Sequence, residues 1–410
     1  MRIAPDSQCT QITDVRLIDP VQQLDVHTDV WVMNGNVMAI GDAPHGIKGA
    51  HVLHGRGRAM IPLTTDLCVR PPADMPSSFA RLRRAALAGG VGRVVWVPGP
   101  ASGGIAPIHI ADTALDCRCV LKGVDIPTQW SGPPWAGVGY GISCVSDLDA
   151  LRSAMQHAVA RGQTIWLSAE DAASAGVMGA GAYALRLGLH GVDRGAQARV
   201  LDIVFGLAAQ TGARLHVSGV ANAPAVDAVR RAKHAGLDVS ADTAIHHLLL
   251  VDLDIGFFDT RFRLMPPLYS VVDRDAINAA VIDGTIDAVV SDHECVLESD
   301  KARFFEQARP GAPALGLVLP LMLAWAAARR VPLLDALAPL TRGPERVLGA
   351  PGGLVPGMPA DFCLVDLDEW WRADESHDVI SPSLSPYHAT MLTGRVTESY
   401  VRGVLCWELS

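Results

Sequence analysis

The middle of this chain alternates short apolar runs with amphipathic stretches of helical period, and that alternation restricts its possible folds more than any other feature. Amphipathic stretches at residues 78–88, 148–160, 196–211 and 223–235 separate several of the runs. Eight apolar runs separated by helices over ~290 residues are typical of a (β/α)8 TIM-type barrel. A doubly wound open sheet is the alternative, because periodicity does not show closure. The runs with strand character are residues 61–69, 92–98, 120–126, 138–144, 164–169, 214–220, 238–244 and 287–292.

Both ends of the chain contain short strand signals. Residues 30–40 (VWVMNGNVMAI) place two apolar runs around an Asn-Gly turn, which is typical of a β-hairpin. Residues 362–365 and 396–407 have strand character near the other end. We therefore predict an α/β protein in which residues 1–55 and 351–410 form a small β-sandwich domain and residues 56–350 form the barrel.

Composition excludes several classes of protein. The chain has 410 residues, a net charge of −9 and no basic run, so we expect no nucleic-acid partner. The longest apolar run, residues 314–328, is too short to span a membrane, and the first residues lack a secretory signal. The eight cysteines form no CxxC pair, which favours buried thiols in a reducing compartment. We expect a cytoplasmic protein without a membrane partner.

Three segments have residue types that could support chemistry. Residues 98–104 (PGPASGG) match no phosphate-loop spacing, so we interpret them as a plain loop after a strand. His246 and His247 end a candidate strand and would face opposite sides of it, which allows one ligand but favours structural histidines. Asp292 and His293 end the eighth candidate strand, where a barrel presents residues to substrate. That pair indicates metal ligation or general-base chemistry.

Dispersed phrases of the sequence resemble dihydroorotases of the amidohydrolase superfamily over roughly residues 25–405. The resemblance implies a barrel with zinc in its mouth and the reversible cyclisation of carbamoyl-aspartate to dihydroorotate. The phrases occur in the family's order, at residues 32–41 (VMNGNVMAIG), 85–95 (AALAGGVGRVV), 169–171 with 176–178, 211–216 (TGARLH), 225–236 (AVDAVRRAKHAG), 246–252 (HHLLLVD), 266–268, 283–293 (DGTIDAVVSDH) and 351–366 (PGGLVPGMPADFCLVD).

The sequence departs from this family at the zinc ligands. The resemblance implies an HxH motif at the end of the first strand, but those positions hold Cys68 and Arg70. An arginine carries a fixed positive charge and cannot coordinate zinc. The fourth strand, where a bridging carboxylate or carboxylated lysine is expected, offers Tyr140 and Gly141, and the lysine at Lys122 lies one strand too early.

The remaining family positions differ as well. The histidines expected on the fifth and sixth strands are replaced by Ser168 and Gly219. Substrate-binding positions are occupied by Pro72, Gly99 and Met265, and only Asp292 is retained among the metal ligands. A catalytic zinc needs at least three protein ligands. We therefore expect no metal, no other cofactor and no catalytic residues.

Two rebuilt sites stay open as alternatives. Cys68, Asp292 and one of the paired histidines could form a mixed zinc site, although Arg70 would repel the cation. Cys68 near a histidine could also act as a nucleophile without a metal. Because the first and eighth strands become neighbours when a barrel closes, we expect Arg70 to pair with Asp292 instead.

The sequence supports three functional hypotheses. The first is a non-catalytic, dihydroorotase-like subunit. The resemblance implies that such homologues associate with the catalytic subunit of aspartate transcarbamoylase, in a homo-oligomer or hetero-oligomer. The second is an active amidohydrolase with an altered metal site and a cyclic amide substrate. The third is a sensor that keeps the pocket and binds a related acid through Arg70.

Overall fold

The computed structural model describes residues 9–45, 47, 49–70, 78–97, 114–122, 135–142, 148–169, 176–374 and 380–409. For residues 121–122, 135, 137–142 and 169 it describes the backbone alone. The chain begins with five strands, β1 Cys9–Asp19, β2 Leu24–Met33, β3 Asn36–Ile40, β4 His51–His54 and β5 Ala59–Pro62.

The middle of the chain supplies parallel strands and the helices around them. The strands are β6 Thr64–Arg70, β7 Val91–Trp96, β8 Asp116–Lys122, β9 Trp135–Ile142, β10 Ile165–Ala169, β11 Met178–Gly179, β12 Gly191–Val192, β13 Leu215–Ser218, β14 Val239–Ala244, β15 Ala288–Val290 and β16 His293–Glu294. The helices are α1 Phe79–Ala88, α2 Leu148–Ala160, α3 Ala182–Leu187, α4 Ala196–Thr211, α5 Ala223–His234, α6 Ile245–Leu249, α7 Val271–Ile282, α8 Glu298–Lys301, α9 Val318–Arg329, α10 Leu333–Leu337 and α11 Arg342–Leu348.

The parallel strands close into a ring. The sheet runs in chain order from β6 through β7, β8, β9, β10, β13 and β14 to β15. β15 pairs with β14, and β16 pairs with β6 through His293 opposite Val69. Since only Ser291 and Asp292 separate β15 from β16, the eighth strand joins the seventh strand to the first. This ring of parallel strands is the TIM-type arrangement that the alternation predicts, and it argues against the open sheet.

Local sequence explains why the outer helices begin and end where they do. α5 begins after Asn222, whose side chain accepts a hydrogen bond from the Ala225 amide, and Pro224 lies in its first turn. α4 ends at Gly212, which adopts a left-handed conformation with φ 72°. The predicted bounds of α2 and α4 are confirmed. α1 begins one residue later than predicted, at Phe79, and α5 ends one residue earlier than predicted, at His234.

Strands from the two ends of the chain form one mixed sheet, which contains both antiparallel and parallel pairings. The last strands are β17 Phe362–Arg372, β18 Met391–Val401 and β19 Val404–Glu408, and the order is β19-β18-β17-β5-β1-β2-β3 with β4 beside β1. The Asn34-Gly35 hairpin between β2 and β3 is confirmed. Phe362 and Tyr400 are paired residues of β17 and β18 whose rings stack at 4.6 Å, and they belong to the same apolar cluster as Val32 of β2.

The terminal sheet packs against the outer helices of the barrel. The Ser399 hydroxyl donates to the Leu87 carbonyl oxygen at the end of α1, and Cys363 and Val396 belong to the apolar cluster that contains α9. The predicted strand at residues 61–69 is divided into β5 and β6. β5 pairs with β1 and β17, so it belongs to the terminal sheet. The domain limits at residues 55 and 351 stay a prediction.

Candidate functional site

The barrel mouth, at the carboxyl ends of the parallel strands, brings the first and eighth strands together. Cys68 and Arg70 lie at the end of β6, and Arg70 is opposite Glu294 in the β6–β16 pairing. Asp292 lies between β15 and β16 with a φ of 50°, a left-handed conformation that aspartate tolerates better than most residues. The break in the eighth strand therefore places Asp292 beside the end of the first strand.

Arg70 and Asp292 form the central contact of the mouth. Arg70 Nη1 lies 2.6 Å from Asp292 Oδ1, which confirms the predicted pairing. The Asp292 side chain is 7% exposed and the Arg70 side chain 21%. Burial by itself lowers the pKa of Arg70, but the charges of Asp292 and its neighbours outweigh that effect and raise the pKa. The guanidinium stays positive at every physiological pH.

A second acid extends the ion pair towards the outside of the mouth. Arg70 Nε lies 3.5 Å from Glu294 Oε2, and Arg309 Nη2 lies 2.5 Å from Glu294 Oε1. Arg309 also pairs with Asp300 at 3.6 Å. Positive and negative groups thus alternate from the mouth to the surface, and each carboxylate has a cationic partner.

Cys68 is a protonated thiol at neutral pH. Its Sγ donates to Asp292 Oδ1 at 3.4 Å, and its amide donates to Asp66 Oδ1 at 3.1 Å. Burial, with the nearby carboxylates, raises its pKa well above the usual value, although Arg70 opposes the shift. This environment disfavours the thiolate that either a nucleophile or a zinc ligand requires.

His293 binds backbone rather than the mouth. Its Nδ1 accepts hydrogen bonds from the amides of Ala314 at 3.2 Å and Leu315 at 3.4 Å, and its Nε2 lies 3.4 Å from Cys295 Sγ. Burial and the charge of Arg70 lower its pKa to about 4. His293 is therefore a neutral imidazole that holds the segment before α9, so its indicated general-base role is not supported by its contacts.

The other substituted positions lie on neighbouring strands. Ser168 on β10 is half-buried and pairs with Gly141 and Ser218. Gly219 follows β13, and its amide donates to Asp242 Oδ1 at 2.7 Å. Tyr140 lies on β9, but its side chain is outside the described residues, as are Pro72, Gly99 and the Lys122 side chain.

A buried polar cluster below the mouth is absent from the sequence predictions. Asp242 Oδ2 lies 2.9 Å from His216 Nε2 and accepts from the Ser218 hydroxyl at 2.8 Å. Asp66 is also buried, its Oδ2 has no partner among the described residues, and burial raises its pKa to about 7. An aspartate in the interior of a predicted strand is the sequence signal that could have identified both Asp66 and Asp242.

The paired histidines require a correction. His246 and His247 lie in the short helix α6 after β14, so they do not alternate across a strand. His246 Nδ1 lies 3.1 Å from the Tyr387 hydroxyl, and His247 Nε2 lies 3.2 Å from the Pro267 carbonyl oxygen. Burial lowers the pKa of both, that of His246 to about 3. Both are neutral, buried side chains.

The described part of the chain lacks two kinds of feature. No group of three or more His, Cys, Asp or Glu residues there is arranged to hold a metal ion. The helices there include none with the length and apolar character of a membrane crossing.

Comparison with known proteins gives two kinds of relative, and no family model matches the chain. A dihydroorotase from Anaeromyxobacter dehalogenans is 30% identical over 417 residues, which cover 96% of each protein. A dihydroorotase-like protein from Pseudomonas putida is 28% identical over 420 residues, covering 96% of this chain and 98% of that protein.

Solved structures share the fold at lower identity. An L-hydantoinase (dihydropyrimidinase) from Arthrobacter aurescens has a TM-score of 0.81 and 21% identity, over 97% of this chain and 96% of that one. A dihydropyrimidinase from Brevibacillus agri has a TM-score of 0.80 and 18% identity, over 98% and 95%. These two structures are similar to this chain over both the parallel ring and the terminal sheet.

Proposed function

Because this chain belongs to the dihydroorotase family of the amidohydrolase superfamily, we propose that it is a non-catalytic member with a structural role. The family consists of cyclic amidohydrolases, so the proposal concerns what this chain has lost and what it has kept. Its barrel core does not depend on ligands at the mouth, because the packed interior lies below the strand ends. A barrel of this kind can remain folded after its chemistry is gone.

The Arg70–Asp292 ion pair is the observation that supports this proposal most directly. A catalytic zinc needs three protein ligands and an open position. Arg70 has no lone pair to offer, it carries the same sign of charge as the metal, and it already occupies Asp292 Oδ1 at 2.6 Å. Cys68 keeps its proton. These residues do not fit a zinc ion.

We further propose that the chain is an assembly subunit for the catalytic subunit of aspartate transcarbamoylase in the cytoplasm. The family resemblance suggests this partner, in a hetero-oligomer or around a homo-oligomer of this chain. Such a role would use the outer helices and the terminal sheet rather than the mouth. It therefore tolerates the substitutions at Cys68, Arg70, Ser168 and Gly219.

Turnover assays test the non-catalytic part of the proposal. The purified chain, supplied with zinc, should neither hydrolyse dihydroorotate nor cyclise carbamoyl-aspartate above the rate of a no-protein blank. An active dihydroorotase assayed in parallel shows that the conditions support turnover. Turnover that disappears in an Asp292→Asn variant would overturn the proposal, because it would prove that the mouth is catalytic.

Co-expression tests the partner. We expect the tagged chain and the aspartate transcarbamoylase catalytic subunit of the same organism to co-elute in size-exclusion chromatography, at a mass above either protein alone. Arg70→Met is the matched mouth variant and should co-elute equally well. Separate elution of the wild-type proteins would contradict the assembly role without affecting the turnover result.

An active cyclic amidohydrolase with an altered metal site is the second candidate. The relatives favour it, because a protein named dihydroorotase matches 96% of this chain. Ligands would then have to come from side chains such as that of Tyr140, which the structure does not describe. The metal content of the purified protein separates the two candidates.

A further inference from the structure

A buried arginine beside the barrel mouth has no charged partner in the described part of the chain. Arg263 is 6% exposed and lies between the short 3₁₀ helix Thr260–Phe262 and the Met265–Pro266 peptide. A Cβ atom at Gly219 would lie 3.5 Å from the Pro266 ring, so this segment covers the end of the sixth strand. No Asp or Glu described in the structure lies within ion-pair distance of Arg263.

The free donors of Arg263 lie on one edge of its guanidinium. Nη1 donates to the Leu264 carbonyl oxygen at 3.2 Å. Nε is buried and has no acceptor among the described residues, whereas Nη2 is not among the buried atoms that lack a partner and is the donor that an incoming ligand can reach. Nε and Nη2 form the side of the guanidinium that donates two parallel hydrogen bonds to a carboxylate or phosphate.

Lys301 adds a second buried positive charge to the same region. It is 5% exposed, and its Nζ donates to the carbonyl oxygens of Thr260 at 3.0 Å and Arg263 at 3.1 Å. The acids around it have other partners, since Asp259 binds Arg261 and Asp300 pairs with Arg309. Burial, and then the charge of Arg263, lowers the pKa of Lys301 to about 8.

Leaving this charge unpaired would be unfavourable. Arginine does not lose its proton in proteins, and an ionised group removed from water without a counter-charge destabilises the folded state. A bound anion would supply both the counter-charge and the acceptor that the buried Nε lacks.

We propose that Arg263 binds the carboxylate or phosphate group of a small ligand through Nε and Nη2, beside the barrel mouth. The site is distinct from the Arg70–Asp292 pair, and it does not depend on whether the barrel is catalytic. Its chemistry selects planar or tetrahedral oxyanions that accept two parallel hydrogen bonds, and it disfavours chloride, which offers no pair of oxygens.

Thermal unfolding in different anions tests this site. At equal ionic strength, phosphate or malonate should raise the melting temperature of the wild-type chain above its value in chloride, because a ligand that binds only the folded state stabilises it. Arg263→Gln should lose that rise. Arg261→Gln is the matched control, because Arg261 is a neighbouring arginine already bound to Asp259, and this variant should keep the rise. A comparison of phosphate with malonate shows whether the site prefers a phosphate group or a carboxylate group.

Direct binding keeps the proposal falsifiable if Arg263→Gln does not fold. Calorimetry with phosphate and malonate should detect one site per chain in the wild type, and Arg263→Lys, which keeps the charge but loses the fork, should bind at least about tenfold more weakly. A crystal grown in phosphate or malonate should show the anion against Nε and Nη2. The proposal would be overturned if the anions raised the melting temperatures of the wild type and Arg263→Gln equally. It would also be overturned if calorimetry detected no binding of phosphate or malonate to the wild type.

Discussion

Arg70 sets the charge balance of the mouth, and its removal should therefore destabilise the fold. Arg70→Met leaves the buried Asp292 without a counter-charge. We expect a loss of about 2–3 kcal/mol in the free energy of unfolding, below the range for fully buried pairs because Arg70 keeps contact with solvent. Urea denaturation measures the change.

A matched pair of variants shows whether the charge is responsible. Adding Asp292→Asn to Arg70→Met should recover most of the lost stability, because the uncompensated carboxylate is gone. Arg199→Met removes an exposed pair with Asp193 and should change stability by less than about 1 kcal/mol. Equal losses in Arg70→Met and Arg199→Met would contradict the importance of the buried pair.

Glu345 should make stability depend on pH near neutrality. Burial is the main cause that raises its pKa from 4.5 to about 7, with Asp19 adding to the shift and Arg93 and the Gly353 amide opposing it. Between these two pH values the unfolded chain is ionised at this position while the folded chain keeps its proton, so stability falls as pH rises.

The Glu345→Gln variant isolates this effect. Between pH 5 and pH 7.5 the wild type should lose about 1–3 kcal/mol more stability than Glu345→Gln. The free energies of unfolding at both pH values, measured for both proteins, check the difference. Parallel pH profiles would contradict a raised pKa at Glu345.

At the scale of elements, His293 ties the eighth strand to the segment before α9. Its Nδ1 accepts from two amides, those of Ala314 and Leu315. His293→Leu removes that acceptor and should cost about 1–3 kcal/mol more than His293→Asn, whose side-chain oxygen can replace Nδ1. Hydrogen exchange at the Ala314 and Leu315 amides should accelerate in the leucine variant only. Equal exchange rates of these amides in both variants would contradict this structural role of His293.

Element positions could be predicted where the periodicity is long, and not where it is short. Residues 148–160 and 196–211 have several turns of apolar period, and both helices were predicted with their observed bounds. β11 and β12 have two residues each, too few to show any period. The sequence pattern places the histidine pair at the end of a strand, because α6 has only five residues and follows β14 directly.

The site was predictable only where strand order decides a contact. Arg70 and Asp292 could be paired in advance, since closure makes the first and eighth strands neighbours. The hydrogen bonds of Asp242 depend on the register between β13 and β14, which a single sequence does not show. The same holds for His293, whose hydrogen-bond donors, the amides of Ala314 and Leu315, lie 21 and 22 residues further along the chain.

For the whole molecule, the question is whether two substitutions could restore catalysis. Cys68→His with Arg70→His recreates the HxH motif at the end of β6. We expect at most weak zinc uptake and no dihydroorotase turnover. Ser168 and Gly219 still replace the two histidines that the family resemblance implies as zinc ligands. Met265 also remains at a substrate-binding position, and poor substrate orientation raises the barrier further.

Three measurements check this double variant. Circular dichroism should show that it is folded, zinc analysis should show little metal, and co-elution with aspartate transcarbamoylase should match that of the wild type. Robust turnover would mean that further ligands exist at the mouth. Loss of co-elution in a folded variant would mean that the partner binds there.

We propose that the Arg70 guanidinium, paired with Asp292, takes the place of a metal ion at the mouth. The zinc content of the wild-type chain, purified from zinc-supplemented cells without chelators and measured by mass spectrometry, tests this proposal. We predict well below one zinc per ten chains, with Arg70 excluding the metal from Asp292. Zinc near one equivalent per chain, lost on Asp292→Asn, would contradict the proposal.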